Sequence, residues 1–288
     1  MSRIGYGVLV WLFGLALMAA MLPAPSAEAF GPCDDETPCE IADGEYRIHL
    51  PPNWSKGRSV GAVIFFHGWR GKAERTILNG SIRALTDRLN MAFVAPDGRN
   101  QSWSFPSSPS QHRDELAFVT AVFDDLERRF NIDISRSVVS GFSLGGSMSW
   151  YTACYLGDRV GGFAPVAGAF WEPLPDNCPA AIPTMVHIHG LEDGTVPMEG
   201  RPIGRNFHQG DVYESFAILG KGECAPADPT VSPDPDASAD AVGLTCSRAT
   251  CDGAALELCV HPGGHSYRTE WLERALSQIG QLKGWSSP

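Results

Sequence analysis

The sequence predicts an α/β fold, a mainly parallel β-sheet covered by helices on both faces. Three observations carry that expectation. Short strand-like segments recur at Ala62–Phe66, 91–95, 136–141, 160–166, 184–189 and Ala254–His261, the first two as dense apolar runs of the kind buried on both faces. Segments with apolar residues at helical spacing separate them, and strands that alternate with helices pair in parallel through right-handed crossovers. No internal repeat and no linker-like stretch divides the 288 residues, so 30–288 is expected to form one domain.

In chain order, the alternating segment 45–50 reads as an early strand. The run Ala62–Phe66 ends on His67-Gly68, and Leu78, Ile82, Leu85 and Leu89 then mark one face of a helix over 74–90. The strand at 91–95 stops at Pro96-Asp97-Gly98, and a polar loop runs on through Pro109. Leu116, Val119, Phe123, Leu126 and Phe130 define a long helix. The strand 136–141 runs directly into a helix over 143–155, and strands at 160–166 and 184–189 follow. The stretch 225–241, rich in Asp, Pro and Ala, reads as a solvated loop. Asp252-Gly253 is a two-residue hairpin signal between 244–251 and Ala254–His261. The last helix turns Leu272, Ala275, Leu276 and Ile279 inward.

Lys+Arg 22 against Asp+Glu 33 gives a formal net charge of −11, which sets nucleic acid and anionic lipid aside as partners. Arg3 precedes an apolar run over 8–22, followed by Pro23, Pro25 and Ala27-Glu28-Ala29. This is the order of a secretory signal over 1–29, cleaved before Phe30, and it places the chain in the periplasm or outside the cell, free of the membrane after cleavage. In that compartment eight Cys, with no C-x-x-C pair among them, read as disulfides rather than zinc ligands. The hairpin register sets Cys246 directly opposite Cys259. Cys224 then falls to Cys251, with Cys33–Cys39 and Cys154–Cys178 as local clips.

Gly141-Phe142-Ser143-Leu144-Gly145 fits G-x-S-x-G, the sharp strand-to-helix turn that exposes a nucleophilic serine. The bare pattern would arise by chance about 0.3 times in a chain of this composition, so the strand before it and the helix after it carry the reading. An acid is expected in the loop after 184–189, at the carboxyl end of a strand: Asp193, with Glu192 as its neighbouring alternative. A base is expected after the last strand: His265, with His261 as the alternative. His187 and His189 share one strand face but lack a third ligand at suitable spacing, so they read as buried, hydrogen-bonded histidines and no metal is expected. The order Ser143, Asp193, His265 is that of enzymes with this elbow. The backbone N–H groups of Leu144 and Trp69 are the candidate oxyanion donors. Trp69, Trp103, Phe170, Trp171 and Met198 lie on loops leaving the same sheet edge and are expected to line an apolar acyl pocket, whereas Trp150 reads as core.

Together FFHGW (65–69), PDG (96–98), GFSLGGSMSW (141–150), HIHGLEDGTVP (187–197) and PGGHSY (262–267) resemble the α/β-hydrolase fold. Within it they resemble the esterase family of polyhydroxybutyrate depolymerases and secreted feruloyl or acetylxylan esterases. The resemblance runs from about Glu45 to Ile279. It implies a monomeric serine esterase, without metal or cofactor, that hydrolyses hydroxyalkanoate oligomer, feruloyl or acetyl esters through an acyl-enzyme on Ser143, Asp193 and His265. Tyr267 stands where the family more often has Trp. With 23 residues after His265 no polymer-binding module is expected, and small or oligomeric soluble esters fit better than solid polyester. A serine peptidase of the same fold and a catalytically inactive binding protein are the rival readings.

Overall fold

The structure, a computed structural model, describes residues 1–2, 32–232, 241–251 and 253–285. Residues 3–29 of the expected secretory leader, residues 233–240 of the acidic stretch and the turn residue Asp252 lie outside the described residues. Strands β1 (Cys39–Ile41), β2 (Gly44–His49) and β3 (Ala62–Phe66) lead to helices α1 (Ala73–Thr76) and α2 (Gly80–Arg88). There follow β4 (Ala92–Pro96), α3 (Glu115–Phe130), β5 (Val138–Phe142), α4 (Leu144–Leu156) and β6 (Gly162–Val166). The chain continues through β7 (Trp171–Glu172), β8 (Met185–Gly190), β9 (Arg201–Ile203), β10 (Phe207–Gln209) and α5 (Val212–Leu219). It ends with β11 (Thr245–Cys251), β12 (Ala254–His261) and α6 (Thr269–Leu282).

Among the described residues nine strands form one sheet in the order β1-β2-β4-β3-β5-β6-β8-β12-β11. From β4 to β12 neighbours run parallel, and the flanking pairs β1/β2, β2/β4 and β11/β12 are antiparallel. The predicted mainly parallel sheet is therefore present, with antiparallel margins. Every residue of β3, β4, β6, β8 and β12 is buried, which is why these strands read as apolar runs without alternation. Successive residues of β3 serve two cores. Ile64 and Phe66 pack in the one that holds Phe118 and Phe123 of α3, Trp150 of α4 and Phe216 of α5. Val63 and Phe65 pack in the other, with Ile82 and Leu85 of α2 and Leu272 and Ile279 of α6.

Three local outcomes differ from the sequence reading. The helix expected over 74–90 is two helices, because the Asn79 side chain accepts from the N–H groups of Ser81 and Ile82, both at 3.1 Å, and caps a new start. Leu78, placed by spacing on the buried face, falls in the break and is 61% exposed. A second, three-stranded sheet in the order β7-β10-β9, and helix α5 after it, had no counterpart in the sequence reading.

The chain is cross-linked at Cys33–Cys39, Cys154–Cys178, Cys224–Cys251 and Cys246–Cys259. Cys246 and Cys259 are register partners across β11/β12, as the Asp252-Gly253 turn predicts, and Gly253 adopts the positive φ of 80° that such a turn demands. On its other side β12 pairs in parallel with β8, with His261 opposite Gly190. The loops leaving the carboxyl ends of β3, β5, β8 and β12 thus converge on one edge of the sheet.

Candidate active site

Ser143 ends β5 and starts α4 with φ 60° and ψ −123°, outside the regions that L-residues ordinarily occupy. Its N–H donates to the Val166 carbonyl of β6 (3.0 Å), and its carbonyl accepts from Ser147 N–H (3.0 Å), so neighbours on both sides hold the strained turn. A Cβ on Gly141 would strike the carbonyl of Gly145, and one on Gly145 would strike that of Phe66. Both glycines of the motif are therefore required by backbone crowding between β5, α4 and the end of β3. Ser143 is half-buried, and its Oγ has no hydrogen-bond partner among the described residues.

His265 Nδ1 lies 2.7 Å from Asp193 Oδ2. The other oxygen, Oδ1, accepts from the N–H groups of Thr195 and Val196, each at 2.8 Å. The Asp193 side chain is fully buried, whereas that of His265 keeps 18% exposure. Burial pushes the Asp193 carboxyl up, but the His265 ring and the Val196 and Thr195 N–H groups outweigh it and hold the carboxyl below its usual range. The imidazole of His265 also lies 4.5 Å, centroid to centroid, from the ring of Phe142, the residue before Ser143. The two alternatives do not take these places. Glu192 is exposed, its N–H spent on the Gly263 carbonyl (3.1 Å). His261 stacks on Trp271 at 4.3 Å and accepts from Gly263 N–H.

On the other side of Ser143 lies the loop that follows β3. A Cβ on Gly68 would sit 3.3 Å from the Phe142 carbonyl and 3.5 Å from Ser143 Cβ, so this loop rests against the elbow. Arg70 N–H bonds the Gln101 carbonyl and Gly71 N–H bonds that of Gly68, while the Trp69 N–H just before them donates to no backbone acceptor among the described residues. Leu144 is the first residue of α4, and the first N–H groups of a helix have no intrahelical partner. Two amides flanking Ser143 are thus available to an anion.

Sequence reasoning missed what supports this loop. His67 is almost fully buried, its Nε2 accepting from Gly98 N–H (2.9 Å). The proton must then reside on Nδ1, which donates to the Gly68 carbonyl (2.8 Å). Burial lowers the pKa of this ring and keeps it neutral. Asp97 and Gly98 are anchored in turn: Asp97 accepts from Ala73 N–H (2.7 Å) through Oδ1 and from Arg113 Nη2 (2.8 Å) through its carbonyl. The signal was present in Pro96-Asp97-Gly98, where a glycine is needed because a Cβ would meet the His67 ring at 2.9 Å.

The expected aromatic pocket wall is largely core. Trp103 is 0% exposed, its indole N–H bonded to the His67 carbonyl (2.8 Å) and its ring packed on Phe66 and His67. Phe170 is 0% exposed between Trp150 and Tyr151. Trp171 is buried beside Phe105, and Met198 is half-buried against the same core. Each fills space inside the fold, where large apolar surface is most stable. Of the five, Trp69 alone stands out from the surface, 65% exposed, with the Arg70 guanidinium 4.2 Å from its ring centroid. His187 and His189 are buried and bonded to each other. A cavity of about 740 Å³ opens at the opposite edge, lined by Gly61, Met91 and Arg136, which precede β3, β4 and β5.

Comparison with known proteins agrees with this architecture. The sequence pattern of the Esterase family, described as "Putative esterase", matches residues 42–194. "Probable feruloyl esterase C" of Aspergillus clavatus is 27% identical over 164 residues, 54% of this chain and 57% of that one. Feruloyl esterase D of Neurospora crassa is 24% identical over 243 residues, 78% of this chain and 79% of that one. This chain therefore spans little more than half the length of the feruloyl esterases C it matches. Among solved structures, acetyl xylan esterase from Aspergillus awamori superposes with a TM-score of 0.52 at 12% identity, over 85% of this chain and 95% of that one. A phospholipase/carboxylesterase from Dyadobacter fermentans gives 0.53 at 21%, over 82% and 96%. These likenesses establish the α/β-hydrolase fold.

Proposed function

The chain belongs to the Esterase family, and from that premise we propose that it is an exported carboxylic ester hydrolase whose nucleophile, base and acid are Ser143, His265 and Asp193. The observation that carries this reading is the 2.7 Å contact between His265 and a fully buried, otherwise satisfied Asp193, on loops that reach the sheet edge where Ser143 is held in its strained turn. With Nδ1–H donating to Asp193, the lone pair of His265 is on Nε2, as a general base requires.

Ser143 Oγ attacks the ester carbonyl carbon as its proton passes to His265 Nε2. The carbonyl oxygen becomes an oxyanion held by the Leu144 and Trp69 N–H groups, and each such donor supplies roughly 3 kcal/mol. The tetrahedral adduct collapses, the C–O bond to the alcohol breaks and His265 returns the proton to the departing oxygen. Water, deprotonated by His265, then attacks the acyl-Ser143 ester, and a second collapse releases the acid and restores the hydroxyl. Asp193 remains a carboxylate throughout. Overall one water is consumed and one acid and one alcohol are released.

Feruloyl and acetyl esters of small or oligomeric sugars are the preferred candidates, since relatives and neighbours carry those names. Four disulfides suit an oxidising compartment. A fluorophosphonate probe on the oxidised chain tests the reading. Labelling of the native chain and its loss in Ser143→Ala are expected, and an unlabelled native chain would sink the proposal. Methyl ferulate, p-nitrophenyl acetate, hydroxybutyrate oligomers and an aminoacyl amide then rank the substrates, and faster cleavage of the amide would replace esterase with peptidase.

A further inference from the structure

Strand β8 carries two imidazoles, at 187 and 189, on one face and deep in the core; both side chains are fully buried. His187 Nε2 lies 2.9 Å from His189 Nδ1, and His189 Nε2 lies 2.7 Å from the Val196 carbonyl. Val196 is also the residue whose N–H donates to Asp193 Oδ1. We propose that His189, backed by His187, is a positioning residue that fixes the acid loop 193–196 and so the contact between Asp193 and His265. The inference rests on the reading of those two residues as acid and base.

The protonation pattern follows from elementary bookkeeping. A carbonyl can only accept, so His189 Nε2 carries a proton. In the neutral ring Nδ1 is then a lone pair, and His187 Nε2–H must donate to it. The file thus runs in one direction: His187 Nε2–H to His189, His189 Nε2–H to the Val196 carbonyl, Val196 N–H to Asp193. Both rings are held neutral, their pKa values lowered first by burial; at His187 the neighbouring His189 adds to this and the Pro165 carbonyl opposes it. Around His189 the titratable groups are Asp193, whose Oδ2 is 3.7 Å from Nε2, together with His265, His261 and His187.

A purely structural need would be met better by aliphatic side chains. Val186 and Ile188 occupy the opposite face of the same strand, and an apolar pair carries no desolvation penalty. The two rings here bring one instead, since His187 Nδ1 has no close hydrogen-bond partner among the described residues and the ring packs edge-on against that of Trp150, 5.3 Å between centroids. What the file supplies in exchange is a fixed Val196, held at its carbonyl by His189 and turned at its N–H to Asp193, and with it a fixed carboxylate rotamer.

The test separates donor position from mere packing. Gln places an amide N–H close to the place of His Nε2, whereas Asn places one close to Nδ1. In the full-length oxidised protein, His189→Leu and His189→Asn should lower kcat by about 10- to 100-fold with KM little changed, the effect expected of a small misplacement of a catalytic group. The low-pH limb of kcat/KM should move in these variants, and His189→Gln should recover most of both. Histidine-selective 15N spectra of the native protein at neutral pH should show His187 and His189 as neutral Nε2–H tautomers. A proton on His189 Nδ1, an imidazolium at either position, or wild-type kcat in a folded His189→Asn would overturn the inference. The spectra keep it falsifiable if a variant fails to fold. They do not depend on catalysis, so failure of the triad reading, seen as full activity in Ser143→Ala, remains a separate result.

Discussion

The two loops that flank Ser143 are held by the same kind of side chain wired in opposite senses. After β3, neutral His67 donates from Nδ1 to the carbonyl of the next residue and accepts at Nε2 from Gly98. After β8, His189 donates from Nε2 to Val196 and accepts at Nδ1. The first brings a bare backbone loop against the elbow, where glycine allows close approach. The second steadies a charged side chain from behind. An imidazole is suited to both because it offers one donor and one acceptor on opposite sides of a rigid ring, and burial keeps it from taking the second proton that would erase the acceptor. In the proposed site one side is thus offered by main-chain amides and the other by a carboxylate, and each loop rests on a buried histidine.

The comparison can be broken hardest on the acid side. Asp193→Asn should reduce kcat by about 10⁴-fold by turning the His265 tautomer, measured on any ester the enzyme cleaves; a loss under tenfold would remove Asp193 from its role. On the oxyanion side His67→Leu withdraws both bonds from the loop. It should lower kcat by about 10- to 100-fold and leave Gly98 N–H buried without a partner, at a cost of about 1–3 kcal/mol in urea unfolding.

Acid should weaken both sides together. His67, His187 and His189 each have a pKa lowered in the folded state, so below about pH 6.5 the unfolded chain binds more protons than the native one. Stability is then fully present above that pH and lost as pH falls, by up to about 1.4 kcal/mol per pH unit for each group. Asp193, also lowered, contributes above about pH 3.9 and is lost only further down. Unfolding midpoints from pH 7.5 to 5 should fall steadily; a flat curve would mean the rings are not held neutral. The smallest effect belongs to Trp69→Ala. This exposed ring should change unfolding stability by less than about 0.5 kcal/mol, while KM for methyl ferulate rises about 2- to 10-fold more than KM for p-nitrophenyl acetate.

Much of this arrangement is legible in the residues because it is local. Gly141 and Gly145 announce a crowded turn around Ser143, apolar runs announce buried strands, and the Asp252-Gly253 turn sets Cys246 opposite Cys259 by counting alone. What escaped reading depends on contacts between distant segments. Trp103 sits in a polar loop and reads as pocket wall until the His67 carbonyl, 36 residues earlier in the chain, takes its indole N–H. Strands of two or three residues, such as β7, β9 and β10, are too short to carry a period. Leu78 fits a helical stripe, and only the capping geometry of Asn79 reveals that the stripe is interrupted.

The pairing of β8 with β12 has a mechanical consequence. Asp193 and His265 leave adjacent strands of one ladder, with His261 opposite Gly190, so the distance between their loops is set by a single interstrand spacing of about 4.8 Å. Ser143 leaves β5, two strands away from β8 across β6. Fraying from the β11 margin would therefore carry off Asp193 and His265 as one piece while the turn at Ser143 stays seated in the middle of the sheet, and the Cys246–Cys259 bond is the rivet that keeps that margin closed.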